Sequence, residues 1–145
     1  RKGADFVQTQ CIYNMDKFKR FMEEAKKEGL HERTKILAGV TPLKSAGMAK
    51  FMNRMVAGIE IPEEFIKRIA DEPKEKQAAK GIEMCIEQIQ EIKEMEGIAG
   101  VHVMAIEWEE KLNEIVGGAG LLPRPMAWAT RIMVASARPK AMTIR

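Results

Sequence analysis

The chain has 145 residues, 46% of them hydrophobic and 31% charged, a composition that builds a packed core and excludes a disordered polypeptide. No run nears the roughly 18 uncharged apolar residues of a membrane span, and no apolar leader opens the sequence, so no membrane partner is expected. The 24 basic and 21 acidic residues give a net charge of +3. No acid follows Glu114, however, while Arg124, Arg131, Arg138, Lys140 and Arg145 crowd the tail. The first 122 residues are therefore near neutral and carry no nucleic-acid footprint. Cys11 and Cys85 cannot make a disulfide scaffold and read as the reduced thiols of a cytoplasmic protein.

Taken in order, the chain alternates short β-prone runs with amphipathic helices. Residues 4–10 (ADFVQTQ) read as a strand opened by Gly3. From Asp16 to Glu28 a helical spacing puts Phe18, Phe21, Met22 and Ala25 on one face, with Asn14 or Asp16 as cap and Gly29 as stop. A second strand is expected over 34–40 (TKILAGV), closed by Thr41-Pro42. A helix from about Lys44 follows, with Met48, Phe51, Met52 and Met55 at helical spacing. Ile61-Pro62-Glu63-Glu64 starts another helix, since proline in the first turn loses no hydrogen bond and acids suit the positive dipole end. Phe65, Ile66 and Ile69 supply its buried side. Asp71-Glu72-Pro73 breaks it and opens a longer helix to Glu96, striped by Ala78, Ile82, Cys85, Ile86, Ile89, Ile92 and Met95. Gly97 and Gly100 lead into a third strand, residues 101–106, and Trp108 to Val116 reads as a short helix ended by the glycine run 117–120.

Repeated β-α-β connections make a parallel sheet, either open or part of a closed barrel. Three strands are too few for either, because both faces and both edges must be covered. The chain therefore reads as the C-terminal part of a larger α/β domain, occupying 1–122, followed by a basic tail, 123–145. In that tail Trp128, Arg131, Ile132, Met133, Ala135 and Arg138 outline a weak basic amphipathic helix. A disordered extension is the simpler expectation, and surface binding by that helix is the alternative.

Ligands of such sheets sit at the carboxyl ends of the strands. Those ends present Gln8 and Gln10, then Gly39-Val40-Thr41-Pro42, then Glu107-Trp108. The Gln10 amide sets donor beside acceptor and suits a heterocycle edge, or else it satisfies neighbouring backbone. Ser45, Ser136, His31 and His102 form no triad, and His102 reads as a hydrogen-bonded residue of its strand. Cys11 reads as a buried thiol before a nucleophile. No Cys/His spacing suits zinc. The glycine run follows a helix, which rules against a dinucleotide loop. Glu107, Glu109 and Glu110 complement a helix start, and the 11 methionines are core filler.

Residues 3–10 (GADFVQTQ), with Tyr13 and Asp16-Lys17-Phe18 behind them, resemble the sixth strand of methylenetetrahydrofolate reductases. Residues 36–43 (ILAGVTPL) resemble the seventh, residues 97–104 (GIAGVHVM) the eighth, and 119–125 (AGLLPRP) the family's close. The likeness runs over residues 1–125. It implies the C-terminal portion of a flavin-containing (β/α)8 TIM barrel, about three βα units with a helical insert. It also implies a flavin-dependent oxidoreductase of one-carbon and methionine metabolism. Such an enzyme reduces 5,10-methylenetetrahydrofolate to 5-methyltetrahydrofolate by hydride transfer from reduced nicotinamide, NAD(P)H, through FAD. The glutamine that contacts the pterin in this family matches Gln10; Thr41 and Trp108 are the other candidate substrate contacts. Two positions depart from the pattern: Trp108 stands where some members carry a folate-holding arginine, and Ala46 where others carry a stacking aromatic. The likeness is to the branch of anaerobes and archaea, in which pterin and electron donor vary. The family's catalytic glutamate and flavin contacts fall before Arg1, so no catalytic residue is expected within this chain. The expected partners are a folate or related pterin, the preceding barrel half or a companion chain, and further copies of the chain. The contrasting expectation is a non-catalytic partial barrel that docks on a partner by its open sheet edges.

Overall fold

A computed structural model describes residues 3–123. The basic tail from residue 124 on, with its Trp128-to-Arg138 helix and Ser136, lies outside the described residues. Three parallel strands, β1 (Phe6–Cys11), β2 (Lys35–Val40) and β3 (Ile98–Val103), form one sheet in that spatial order. The elements between and after them are α1 (Met15–Lys27), α2 (Leu30–Arg33), α3 (Ala46–Met55), α4 (Glu63–Ala70), α5 (Lys74–Lys93) and α6 (Leu112–Gly118).

Local chemistry sets most of these bounds. The Asn14 carboxamide accepts from the Lys17 N–H at 2.9 Å, capping α1, and Ser45 does the same for α3 by accepting from Met48 N–H at 3.1 Å. Pro62 and Pro73 stand just before α4 and α5, where a missing N–H costs nothing. Gly29 turns the chain out of α1 at φ 62°, a left-handed value that a side chain would resist.

Several expectations are corrected, and one element was not expected. β3 starts three residues earlier than the apolar run implied, because Gly100 pairs inside the ladder with Leu37 instead of opening a turn. In α3 the buried positions are Ala46, Ala49 and Met52, whereas Phe51 and Met55 are exposed; Phe21 of α1 is exposed as well. The stretch after Trp108 is one 3-10 turn over Glu109–Lys111 and then α6, which includes Gly117 and Gly118. Gly120, at φ 66°, is the residue that leaves the helix direction. Finally, α2 was not legible in four residues of weak periodicity.

Alternation along β2 divides the sheet into two faces. Ile36, Ala38 and Val40 join Phe18, Met22 and Ala25 of α1 and Ile82, Cys85, Ile89 and Ile92 of α5 in one core. On the other face Gln8, Leu37 and Gly100 lie side by side, with Gly39 paired to His102 further along. This second face is open among the described residues, and Phe6 on it is 59% exposed. The His102 Nδ1 is buried without a hydrogen-bond partner among the described residues, so the expected hydrogen bond is not made at that atom. A second core under α3, α4 and the start of α5 contains Cys11, Tyr13, Leu43, Met52, Ile66, Ile69 and Met84.

Both cysteines are buried, and burial pushes the Cys85 thiol up to about 12. An unfolded thiol ionises near pH 8.5, so the stability this burial represents is full below that pH and declines above it. Cys85 is expected to resist alkylation in the native protein at pH 8 and to react fully in denaturant, as read by intact mass.

Candidate functional site

The carboxyl end of β1 is irregular. Register shifts between Gln8 and Cys11, so that Cys11 faces Gly39 of β2. The bulge is held by hydrogen bonds: Gly39 N–H donates to the Thr9 hydroxyl at 2.9 Å, which itself donates to the Gln10 carbonyl at 2.9 Å. Gly39 has no room for a side chain here. A Cβ would stand 2.7 Å from the Thr9 carbonyl oxygen, 2.8 Å from that of Gln10 and 3.0 Å from the Met104 Cε. The bulge turns Gln10 to the exposed rim, where its Oε1 accepts from the Cys11 N–H at 3.0 Å. Its Nε2 donors have no partner among the described residues, so the amide is oriented by its own backbone and still has donors to offer.

Around Gln10 lies a cleft of ≈ 310 Å³, lined among others by Asn14, Lys17, Phe18, Phe21, Gly58 and Glu60. One wall is the loop between α3 and α4. Gly58 makes its tight turn at φ 81°, and a Cβ there would lie 4.0 Å from the Gln10 Cγ. Glu60 staples this loop to the start of α1, accepting from Asn14 Nδ2 at 2.7 Å and from Lys17 Nζ at 2.8 Å. The hydrogen bonds from Lys17 and Asn14 hold the Glu60 carboxyl below its usual range. Asn14 serves both the helix cap and the staple, so Asn14→Ala is expected to lower stability by about 1 kcal/mol, measured by urea unfolding.

Thr41 sits elsewhere. It is 1% exposed, its hydroxyl lies 3.0 Å from the Cys11 sulfur, and its carbonyl accepts from the Tyr13 hydroxyl at 3.0 Å. Burial raises the Tyr13 phenol well above its usual range, so it remains a donor. Trp108 is half-buried against the first core, and the Lys44 ammonium stands 5.5 Å from its ring centroid. Lys44 Nζ also donates to the Glu107 carbonyl at 2.9 Å, and Glu107 takes a left-handed φ of 52°. The three sequence candidates thus occupy the ends of three adjacent strands, with Gln10 lining the cleft and Thr41 beneath it. Lys44, Gly58, Glu60 and Met104 were missed, since they depend on contacts between distant segments. Gly39 was placed at its strand end, but not its role in admitting the bulge.

The family model for methylenetetrahydrofolate reductase matches residues 1–120. The chain belongs to the methylenetetrahydrofolate reductase family. Among curated proteins, methylenetetrahydrofolate reductase 1 of Schizosaccharomyces pombe is 24% identical over 129 residues, covering 87% of this chain and 21% of that protein. The chain therefore spans about a fifth of the relative's length. All three strands and the Gln10 rim lie inside the matched residues 1–120. Among the described residues no helix is long and apolar enough to cross a membrane, and no three His, Cys, Asp or Glu side chains cluster as metal ligands.

Flavin is the group this family implies. Among the described residues the cleft at Gln10 is ≈ 310 Å³ and is lined by the amides of Gln10 and Asn14 and by three aromatic rings, Tyr13, Phe18 and Phe21. That volume suits one heterocycle edge and is small for a whole flavin dinucleotide. The described residues do not by themselves fit a whole flavin dinucleotide.

Proposed function

We propose that the chain is the C-terminal portion of a methylenetetrahydrofolate reductase (β/α)8 barrel and supplies its pterin-binding rim. On this reading further βα units cover the open sheet face and the outer edges of β1 and β3, and carry the catalytic acid and the flavin contacts. The complete barrel reduces 5,10-methylenetetrahydrofolate to 5-methyltetrahydrofolate with electrons from NAD(P)H by way of FAD, in the cytoplasm. The observation that carries the proposal is the Gln10 amide, turned to the rim by the bulge and oriented through Cys11 N–H, within the region that matches the family.

The residues described here bind and orient. Gln10 offers N–H donors to acceptors on a pterin edge, and Gly39 and Met104 fix how far the bulge reaches over the sheet. Thr41 and Tyr13 brace that floor from below, and Trp108 and Lys44 stand at the neighbouring strand ends. The test pairs this chain with the preceding barrel segment of a family member. Gln10→Leu is expected to retain flavin, measured by visible absorbance, and to lower kcat/KM for methylenetetrahydrofolate by on the order of a hundredfold, as for a lost hydrogen bond with a buried partner left unpaired. Unchanged kcat/KM in that variant would remove Gln10 from the site. One observation favours a second reading, a docking module: the exposed Phe6 on the uncovered face. Turnover by the paired protein decides against it.

A further inference from the structure

We propose that Gln88 is a positioning residue for the Gln10 rim: its amide, brought in by α5, clamps both ends of the connection between β1 and α1 and so sets where Gln10 presents its donors. That the rim meets a pterin rests on the folate reading above; the clamp itself does not.

Gln88 is 4% exposed and is the one buried polar side chain of α5 among the described residues. Met84 and Ile92, one turn to either side, are buried and apolar, so packing alone would be served by an aliphatic side chain. The amide is used instead for its two N–H donors. Its Nε2 donates to the carbonyl of Ile12, the residue just past the end of β1, and lies 3.7 Å from the sulfur of Met15, the first residue of α1. One side chain thus grips both ends of a three-residue connection, from 76 and 73 positions away. The Ile12 N–H is engaged as well, donating to the Gly39 carbonyl at 2.9 Å, so both backbone polar groups of Ile12 are fixed. Cys11 stands immediately before it, and the Cys11 N–H is the donor that orients the Gln10 amide, at 3.0 Å from its Oε1. On the other side of Ile12, Asn14 caps α1 and ties the connection to Glu60 across the cleft. Gln88 does not line that cleft; it acts through the backbone of Ile12. Without its donors the Ile12 carbonyl is buried and unpaired, a cost the connection escapes by rotating, and rotation carries Cys11 and Gln10 with it.

The test reads amide hydrogen exchange of the 145-residue chain by NMR. Gln88→Met keeps the side chain's length and removes both donors. In it the Cys11 and Ile12 amides are expected to exchange about tenfold faster than in the parent, while the Met104 N–H, bonded to the Val40 carbonyl where β3 meets β2, keeps its rate. A merely structural role would raise all three rates together. Gln88→Asn, whose amide is set back by one methylene, carries the same comparison should the methionine variant not fold. In the protein paired with the preceding barrel segment, Gln88→Met is expected to lower kcat/KM for methylenetetrahydrofolate about tenfold and to cause no further loss in a Gln10→Leu background, because it acts through Gln10. Unchanged exchange at Cys11 and Ile12, equal acceleration of all three amides, or losses that multiply in the double variant would each overturn the proposal. A paired protein that fails to reduce methylenetetrahydrofolate would sink the folate reading alone, and the exchange rates, which need neither flavin nor pterin, would still decide on the clamp.

Discussion

Gly81→Ala is expected to destabilise the chain by about 3 kcal/mol, at the upper end of overpacking costs. A Cβ on Gly81 would lie 1.7 Å from the Leu43 carbonyl oxygen and 2.8 Å from its carbonyl carbon. Both are backbone atoms that no rotamer change can move aside. Alanine would gain up to about 1 kcal/mol of helix propensity inside α5, and the overlap outweighs that gain. The contact matters beyond stability, because Leu43 lies between Thr41 and Lys44. Withdrawal of α5 would move the segment that carries the rim. Gly117→Ala is the matched control: in α6 a Cβ would meet nothing nearer than Leu122 Cδ1 at 3.9 Å. That variant is expected to be neutral or stabilised by up to about 1 kcal/mol. Urea midpoints of the two variants and the parent provide the comparison. Equal midpoints for Gly81→Ala and the parent would mean that α5 does not pack on Leu43.

The second large effect is expected at Gly39, where alanine would press on the carbonyl oxygens of Thr9 and Gln10 and on the Met104 Cε. The methionine end can swing away, but the two carbonyls yield only if the bulge moves. A loss of about 2 kcal/mol is expected, and with it a displaced Gln10. In the barrel completed by the preceding segment, KM for methylenetetrahydrofolate should rise on the order of tenfold, the factor equal to about 1.4 kcal/mol. Gly100→Ala separates this from a general weakening of the sheet, since a Cβ there makes an ordinary 3.5 Å contact with Leu37 Cδ2. Its KM is expected to stay at the parent value.

The parts of the fold that were legible in the sequence are those that rest on local repetition. The stripe along α5 predicted Ile82, Cys85, Ile89 and Ile92 as core, and the stop of α1 was legible as Gly29 and its cap narrowed to Asn14 or Asp16, of which Asn14 is the cap, because both ends act on their own helix. Features that depend on a distant partner were not. The β1 bulge exists because Gly39 admits the carbonyls of Thr9 and Gln10, a fact invisible in residues 6–11. Met84 and Gln88 are buried off the apolar stripe of α5, Met84 in the second core and Gln88 with its Nε2 donating to the Ile12 carbonyl and lying 3.7 Å from the Met15 sulfur. Lys44 read as a residue flanking a helix, and its role depends on a carbonyl 63 positions away. Gln10 was found through its strand-end position and the family likeness together; its orientation could not be, since that follows from the bulge.

The most direct test of the account is the visible spectrum of the chain after FAD is added and the excess removed, alone and paired with the preceding barrel segment of a family member. A colourless chain alone is expected, and a yellow paired protein whose flavin, once reduced by NAD(P)H, is reoxidised by methylenetetrahydrofolate. Flavin retained by the chain alone, or a paired protein whose reduced flavin ignores methylenetetrahydrofolate, would contradict it.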